Sequence, residues 1–232
     1  MTNSLFLTFF VCIILLTLTY LIGRNIKIIP GKLQSFAEMA MEMLLGLMES
    51  TLGSREKAEK YFPLVATIFI FIMTSNLLGI FPGVGSLMAE HGHTEVPLFR
   101  SPAADLNFTL AFAVISVLVT NILGMAAIGT FNQLGKYFNF SSPINFFIGI
   151  LELVSELAKI ISLSFRLFGN VFAGEVLLTI ISFLAPYFIP LPFLFLELFV
   201  GMIQAFIFAM ITLVSISLHT TAHGEHEHAE AH

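Results

Sequence analysis

Charge is scarce in this sequence: Asp, Glu, Lys and Arg together make up 11% of 232 residues, under half of the roughly 25% typical of a soluble domain. The single cysteine, Cys12, sits inside an apolar run, so neither a disulfide framework nor a cysteine-based zinc site is available. There is no phosphate-cradling loop of the GxxxxGK type. The ten lysines and arginines are scattered, which leaves no basic cluster to hold a nucleic acid. No polar stretch is long enough for a soluble domain; the longest are 85–106 and the last dozen residues. What is present is apolar: 57% hydrophobic residues, 26 of them phenylalanine, and a mean hydropathy of +0.93. So little polar surface cannot coat a globule of this size. An ordinary soluble enzyme, a secreted disulfide scaffold and a disordered tail are excluded, and a polytopic integral membrane protein is left.

The expected class is an all-α membrane protein with about five transmembrane helices, organised as one membrane domain over 1–232. The first span lies in 1–30, where Leu5–Ile22 is long enough to cross a hydrocarbon core of ~30 Å. No basic residue precedes this run and no small-x-small cleavage site follows it, so it reads as a retained helix with its N-terminus outside. Within 31–60, apolar residues at helical spacing around Glu38, Glu42 and Glu49 predict an amphipathic helix on the inner surface, ending at Gly53. Two spans with an outer loop between them fill 61–131, and Asp105 or Asn107 can cap the second of the two. A short inner loop with Lys136 follows. A helical hairpin then occupies 143–219, and a polar, His-rich tail fills 220–232. Outside the spans, Arg24, Lys27, Lys32, Arg55, Lys57, Lys60 and Lys136 fall on one side and Arg100 on the other, which sets the inner face. The first arm of the hairpin, from about Pro143 to Ala185, would be about 60 Å long as a single helix, twice the hydrocarbon thickness. It must tilt strongly, lie partly along the membrane, or break.

That arm carries what a lipid-facing helix should not: Glu152, Ser155, Glu156, Lys159, Ser162, Arg166, Asn170 and Glu175. Ser155, Lys159, Ser162, Arg166 and Asn170 recur every three or four residues and line one helix face. Ionisable groups at membrane depth cost about 2.5–3.5 kcal/mol each on insertion scales, and they mark ion pathways. Lys159 can pair with Glu156 one turn back, with Glu152 a turn further, as simple neutralisation near the inner interface. Arg166 has no such partner, because its nearest acid on this helix, Glu175, lies about 13 Å along the axis and on the opposite face. Arginine does not escape by deprotonating. A cation held there implies water, an acid on another segment such as Glu197, or an acid on another protein.

The final span adds Glu197 and Gln204 on one face. One antiparallel register about the Pro186–Pro192 turn sets Arg166 beside Gln204 and Glu175 beside Glu197. Two close carboxylates do not both ionise cheaply, so the pair is either a proton relay or a structural pair sharing one proton. Exchangeable acids then flank a permanent cation, with Glu175 and Glu197 on the outer side and Glu152 and Glu156 on the inner. Protons could reach the middle from either side but not pass it. Two half-paths need a mobile carrier, and this chain has none, so the missing part is another protein.

The run Ser164-Phe165-Arg166-Leu167-Phe168-Gly169-Asn170-Val171-Phe172-Ala173-Gly174-Glu175 resembles the signature of subunit a of F-type ATP synthases. Ile203-Gln204-Ala205-Phe206-Ile207-Phe208 is similar to the second motif of that family. Ala104-Asp105-Leu106-Asn107 and Asn76-Leu77-Leu78-Gly79 are similar to further family segments. The resemblance implies a non-catalytic, proton-translocating stator beside a rotating ring of small proteolipid subunits, with peripheral-stalk membrane subunits as neighbours and an ATPase head acting indirectly. It implies Arg166 as the essential arginine that prevents a proton short circuit, Glu175 and Glu197 in the outer half-channel, and Asn170 and Gln204 near the arginine. Glu152, Ser155 and Glu156 match the inner half-channel. The last two helices would be long, tilted and hairpin-paired around the ring. Some members have a histidine at one of the two positions occupied here by Glu175 and Glu197.

His91 and His93 are candidate feeders of the outer path. Asp105 reads as a helix cap more readily than as a relay. The terminal histidines have spacings that could hold a metal, though a solvated tail is the plainer reading, and neither a metal nor a cofactor is expected. The expected location is a bacterial plasma membrane, with the mitochondrial inner membrane as the alternative.

Overall fold

A computed structural model describes residues 3–24, 26–27, 30–81, 88–91, 94–97, 100–137, 143–185 and 187–221. Among these residues seven α-helices follow in chain order: α1 (Asn3–Arg24), α2 (Lys32–Leu52), α3 (Arg55–Gly79), α4 (Leu106–Ile128), α5 (Thr130–Tyr137), α6 (Pro143–Leu184) and α7 (Pro190–Thr221). Five of them, all but α2 and α5, are long and apolar enough to cross a membrane. Among the described residues the strands form a small antiparallel hairpin in the loop between α3 and α4, β1 (Met88–His91) with β2 (Thr94–Pro97), in which Ala89 faces Val96 and Glu90 faces Glu95.

Local chemistry explains the boundaries. α2 stops at Gly53, whose φ of 70° is the left-handed conformation that closes a helix, and the Gly53 N–H reaches back to the Glu49 carbonyl. Just beyond it, Arg55 collects Glu42, Glu49 and Glu59 at 2.9, 3.4 and 3.1 Å and clamps α2 to the start of α3. The hydrogen bond from Arg55 holds the Glu42 carboxyl below its ordinary range. These are exposed pairs, so they set geometry more than stability. α4 starts on Asp105, whose Oδ1 accepts the Asn107 N–H at 3.0 Å. It ends at Gly129, at φ 96°. The segment that follows, expected as a loop, is the helix α5. Gln133 and Tyr137 lie four residues apart and turn toward the bundle, while Gly135 faces out, so one amphipathic turn has a surface to bury against.

The core lies where α3, α4, α6 and α7 meet. Ile68, Ile72, Ala113, Leu163, Leu167, Val171, Ala205 and Phe208 form one buried cluster there. A second cluster, with Leu44, Met48, Ala58, Tyr61, Leu213 and Ile216, packs α2 and α3 on α7. Hydroxyl pairs join the helices where lipid tails would give no hydrophobic drive: Thr109 with Ser164 at 3.1 Å, and Ser116 with Thr212 at 2.8 Å. Helix α7 is the hub. Half of its most apolar stretch is buried, against 11% for α6 and for α1. Among the three outcomes open for the long arm, a break does not occur: α6 is continuous over 42 residues. At ~1.5 Å per residue it is about 63 Å long, so within a ~30 Å core it must run obliquely or along the interface.

Candidate functional site

Arg166 lies close to the midpoint of α6 and is exposed. Its guanidinium donates to Ser162 Oγ at 3.1 Å, one turn back on the same helix. Among the described residues it has no ion pair. It shares its polar face of α6 with Ser155, Ser162 and Asn170, also exposed, while exposed Ile161, Phe165 and Phe172 lie off to its side. The arginine thus stands exposed, with its charge unbalanced among the described residues.

On the C-terminal side of Arg166 along α6, α6 and α7 leave a cavity of about 220 Å³ whose lining includes Asn76, Asn170, Gly174, Glu197, Gly201 and Gln204. Asn170 Nδ2 donates to Gln204 Oε1 at 2.8 Å. Asn76 Nδ2 donates to the Gly201 carbonyl at 2.9 Å and ties α3 to α7. Asn76 Oδ1, Glu197 Oε2 and Gln204 Nε2 are buried and have no protein partner among the described residues. A space of this size with three such groups on its wall is suited to water. Glu197 lies against the backbone of Gly174, where a Cβ would come within 2.6 Å of its Oε1. Glu175, the next residue, has Arg100 Nε 3.4 Å from its carboxylate. The same guanidinium lies 5.8 Å from the centre of the Phe172 ring.

The N-terminal half of α6 is built differently. Glu156 is buried among α4, α6 and α7; its Oε1 accepts from Lys159 Nζ at 2.6 Å, and His219 Nε2 lies 3.3 Å from the same oxygen without a hydrogen bond to it. Asn121 Nδ2 reaches its other oxygen at 3.4 Å, and Tyr137 OH donates to Asn121 Oδ1 at 2.8 Å. Burial, and behind it the charges of Glu156 and Glu152, push the Tyr137 phenol up to about 12, so it stays a donor. Glu152 is half-buried and Ser155 exposed, both in the N-terminal half of α6. No grouping of His, Cys, Asp and Glu among the described residues could hold a metal ion.

The model of the family described as "ATP synthase A chain" matches residues 5–217. The chain belongs to the ATP synthase subunit a family. It is 35% identical to ATP synthase subunit a of Campylobacter concisus over 221 residues, covering 94% of this chain and 89% of that one. The subunit a of Moorella thermoacetica is 34% identical over 210 residues, with 90% and 87% covered. "ATP synthase subunit a 3" of Pelobacter propionicus is 36% identical over 211 residues, with 90% and 83% covered. As a member of the subunit a family with five membrane-crossing helices, the chain is a multi-pass integral protein of a bacterial plasma membrane and a component of the ATP synthase membrane sector.

Within this family framework the structure sorts the residues singled out from sequence. It brings Asn170, Gln204 and Glu197 together around one cavity, with Glu175 at its edge. Gln204 pairs with Asn170, one turn from Arg166, so the hydrogen-bonded register differs by a turn from the one that set Arg166 beside Gln204. Glu197 meets Gly174, while Glu175 turns to Arg100. Asp105 is a cap and also accepts Ser4 Oγ at 2.7 Å, which docks α1. Burial alone would raise the Asp105 carboxyl. The hydrogen bonds from Ser4 and Asn107 and the charge of Arg100 outweigh it and hold the group below its ordinary range. His91 is in β1, its side chain outside the described residues, and His93 and the tail from 222 also lie outside them. Arg100, Asn76, Asn121, Tyr137 and His219 were not singled out from sequence as site residues. The only signal for His219 was its place at the end of an apolar run, as the last residue of the hairpin before the polar tail.

Proposed function

We propose that this chain is the non-catalytic, proton-translocating stator subunit of the ATP synthase membrane sector, working against a ring of small proteolipid subunits. Protons enter from the outer side through the cavity at Glu197, Asn170 and Gln204, with Glu175 at its rim. They neutralise a ring carboxylate, ride with the rotor, and leave on the inner side by Glu152, Ser155 and Glu156. Arg166 draws each returning carboxylate into its ionised form and, as a fixed cation, blocks direct passage between the two half-channels. Each proton crossing 100 mV releases about 2.3 kcal/mol, too little for one ATP, so a geared rotor sums several. Peripheral-stalk membrane subunits hold the stator still, and the ATPase head is coupled indirectly.

One observation carries this reading: an arginine at mid-helix stands exposed, without an ion pair among the described residues, one turn from a cavity whose wall carries Asn76, Asn170, Glu197 and Gln204. Such a charge in a membrane needs an acid from outside the chain. The test is Arg166→Ala in the whole complex. Proton-driven ATP synthesis should be lost while all subunits still co-purify; retained synthesis would sink the proposal.

A further inference from the structure

The cluster around Glu156 has a feature that a simple inner outlet does not require. His219 Nδ1 lies 2.7 Å from the Ser215 carbonyl, which is an acceptor only, so Nδ1 carries a hydrogen. In a neutral ring Nε2 would then be a bare lone pair, and it faces Glu156 Oε1 at 3.3 Å. Lone pair against carboxylate is repulsive. The contact becomes attractive only when one more proton is present, on the imidazole or on the acid. The two side chains are only 5% and 11% exposed, so water screens the conflict little. The pair is built to hold one proton.

Its surroundings fit that task. From α6, Lys159 supplies a cation to the same carboxylate, and it lies on the polar stripe that leads to Arg166 through Ser162. From α4 comes neutral Asn121, and from α5 the phenol of Tyr137. Glu152 is close enough to act electrostatically on Tyr137. α2 and α3 meet this end of α7 with Leu44, Met48, Ala58 and Tyr61. Beside the imidazole, Gln133 is buried with both amide atoms unpartnered among the described residues. Gly124 makes room for the two together: a Cβ there would stand 2.9 Å from His219 Cβ and 3.1 Å from Gln133 Nε2. An unpaired amide at that place calls for water next to the histidine.

We infer that His219, paired with Glu156, is the proton acceptor of the inner half-channel, exchanging protons between the α6 polar stripe and the inner aqueous phase. In synthesis, a proton leaving the stripe on water forms the Nε2–H bond, and the imidazolium then returns that proton to water at the inner surface. In pumping, the same two transfers run backwards. The inference rests on the stator reading above.

The test uses the intact complex in liposomes with the ATPase head outward, so that the bath contacts the inner side. ATP-driven proton uptake is compared between wild type and His219→Gln, per assembled complex, from about pH 6 to about pH 9 in the bath. Taking the ratio of variant to wild type cancels the pH response of the head. A ratio that changes about threefold or more across the range is expected; a lowered but constant ratio means a purely structural histidine and overturns the inference. If His219→Gln does not assemble, Glu156→Gln is read the same way, and a constant ratio again overturns it. Arg166→Ala in the same vesicles separates the two levels: pumping abolished there with a constant ratio for His219→Gln removes this inference alone, whereas pumping retained removes the stator reading itself.

Discussion

Gly174→Ala probes the proposed outer half-channel with the smallest possible change. A Cβ at Gly174 would stand 2.6 Å from Glu197 Oε1, 2.7 Å from its Cδ and 3.0 Å from its Cγ. Favourable non-bonded contact lies near 3.5–4.0 Å, so the carboxyl group must retreat by roughly 0.5–1 Å. The atoms in the way are the end of a flexible side chain, and the cost to the fold is that of an off-rotamer χ, about 0.5–1.5 kcal/mol. The cost to function is larger, because about 1 Å of misplacement of a reacting group can lower a rate ~10²-fold. Glu197 has one oxygen unpartnered on the cavity wall, which makes its position depend on the space Gly174 leaves. Proton-driven ATP synthesis in inverted membrane vesicles, normalised to assembled complex, should fall roughly 10- to 100-fold with unchanged yield of the complex. A rate within about twofold of wild type would show that the placement of Glu197 does not limit proton transfer and would refute the role given to this contact.

Two further predictions concern stability. Asn76→Leu removes the buried bond to the Gly201 carbonyl and leaves that acceptor unpaired, at a cost of about 1–3 kcal/mol; thermal unfolding of the purified complex should begin at lower temperature, and an unchanged onset would speak against it. The Asp105 carboxyl sits below its ordinary value of 3.8 when folded, so its contribution is complete above that value and is lost as pH falls through the depressed one. Amide exchange at the start of α1, corrected for intrinsic rates, should therefore quicken below about pH 4 in wild type but show no such step in Asp105→Asn. Protection that is flat down to about pH 3 in wild type would contradict the docking role of Asp105.

Much of this molecule is readable from its sequence because the relevant physics is local. Apolar runs of about twenty residues announce spanning helices in a medium that satisfies no backbone group. The three- and four-residue spacing from Ser155 to Asn170 places those side chains on one face of α6 wherever the helix goes. The Lys159–Glu156 pair follows from i,i+3 geometry alone. Less legible was α5, an eight-residue helix whose burial depends on the α4 and α6 surfaces beneath it.

Partnerships between helices came from packing. A hairpin register inferred from two coincident pairs missed by one turn at Gln204, because the contact is set by where small residues let the helices approach. Gly174 admits Glu197, Gly124 admits His219 and Gln133, and Gly201 admits Asn76. Arg100 reaches Glu175 from 75 positions away, and His219 reaches Glu156 from the far end of α7. Composition, periodicity and motif thus determined that this chain is a bundle of membrane helices with a fixed cation among acids. Which acid meets the cation of the outer loop, which histidine meets the buried glutamate, and which polar groups share a cavity were decided only in three dimensions. Those contacts join residues distant in sequence, and their geometry depends on side-chain volumes contributed by several helices at once.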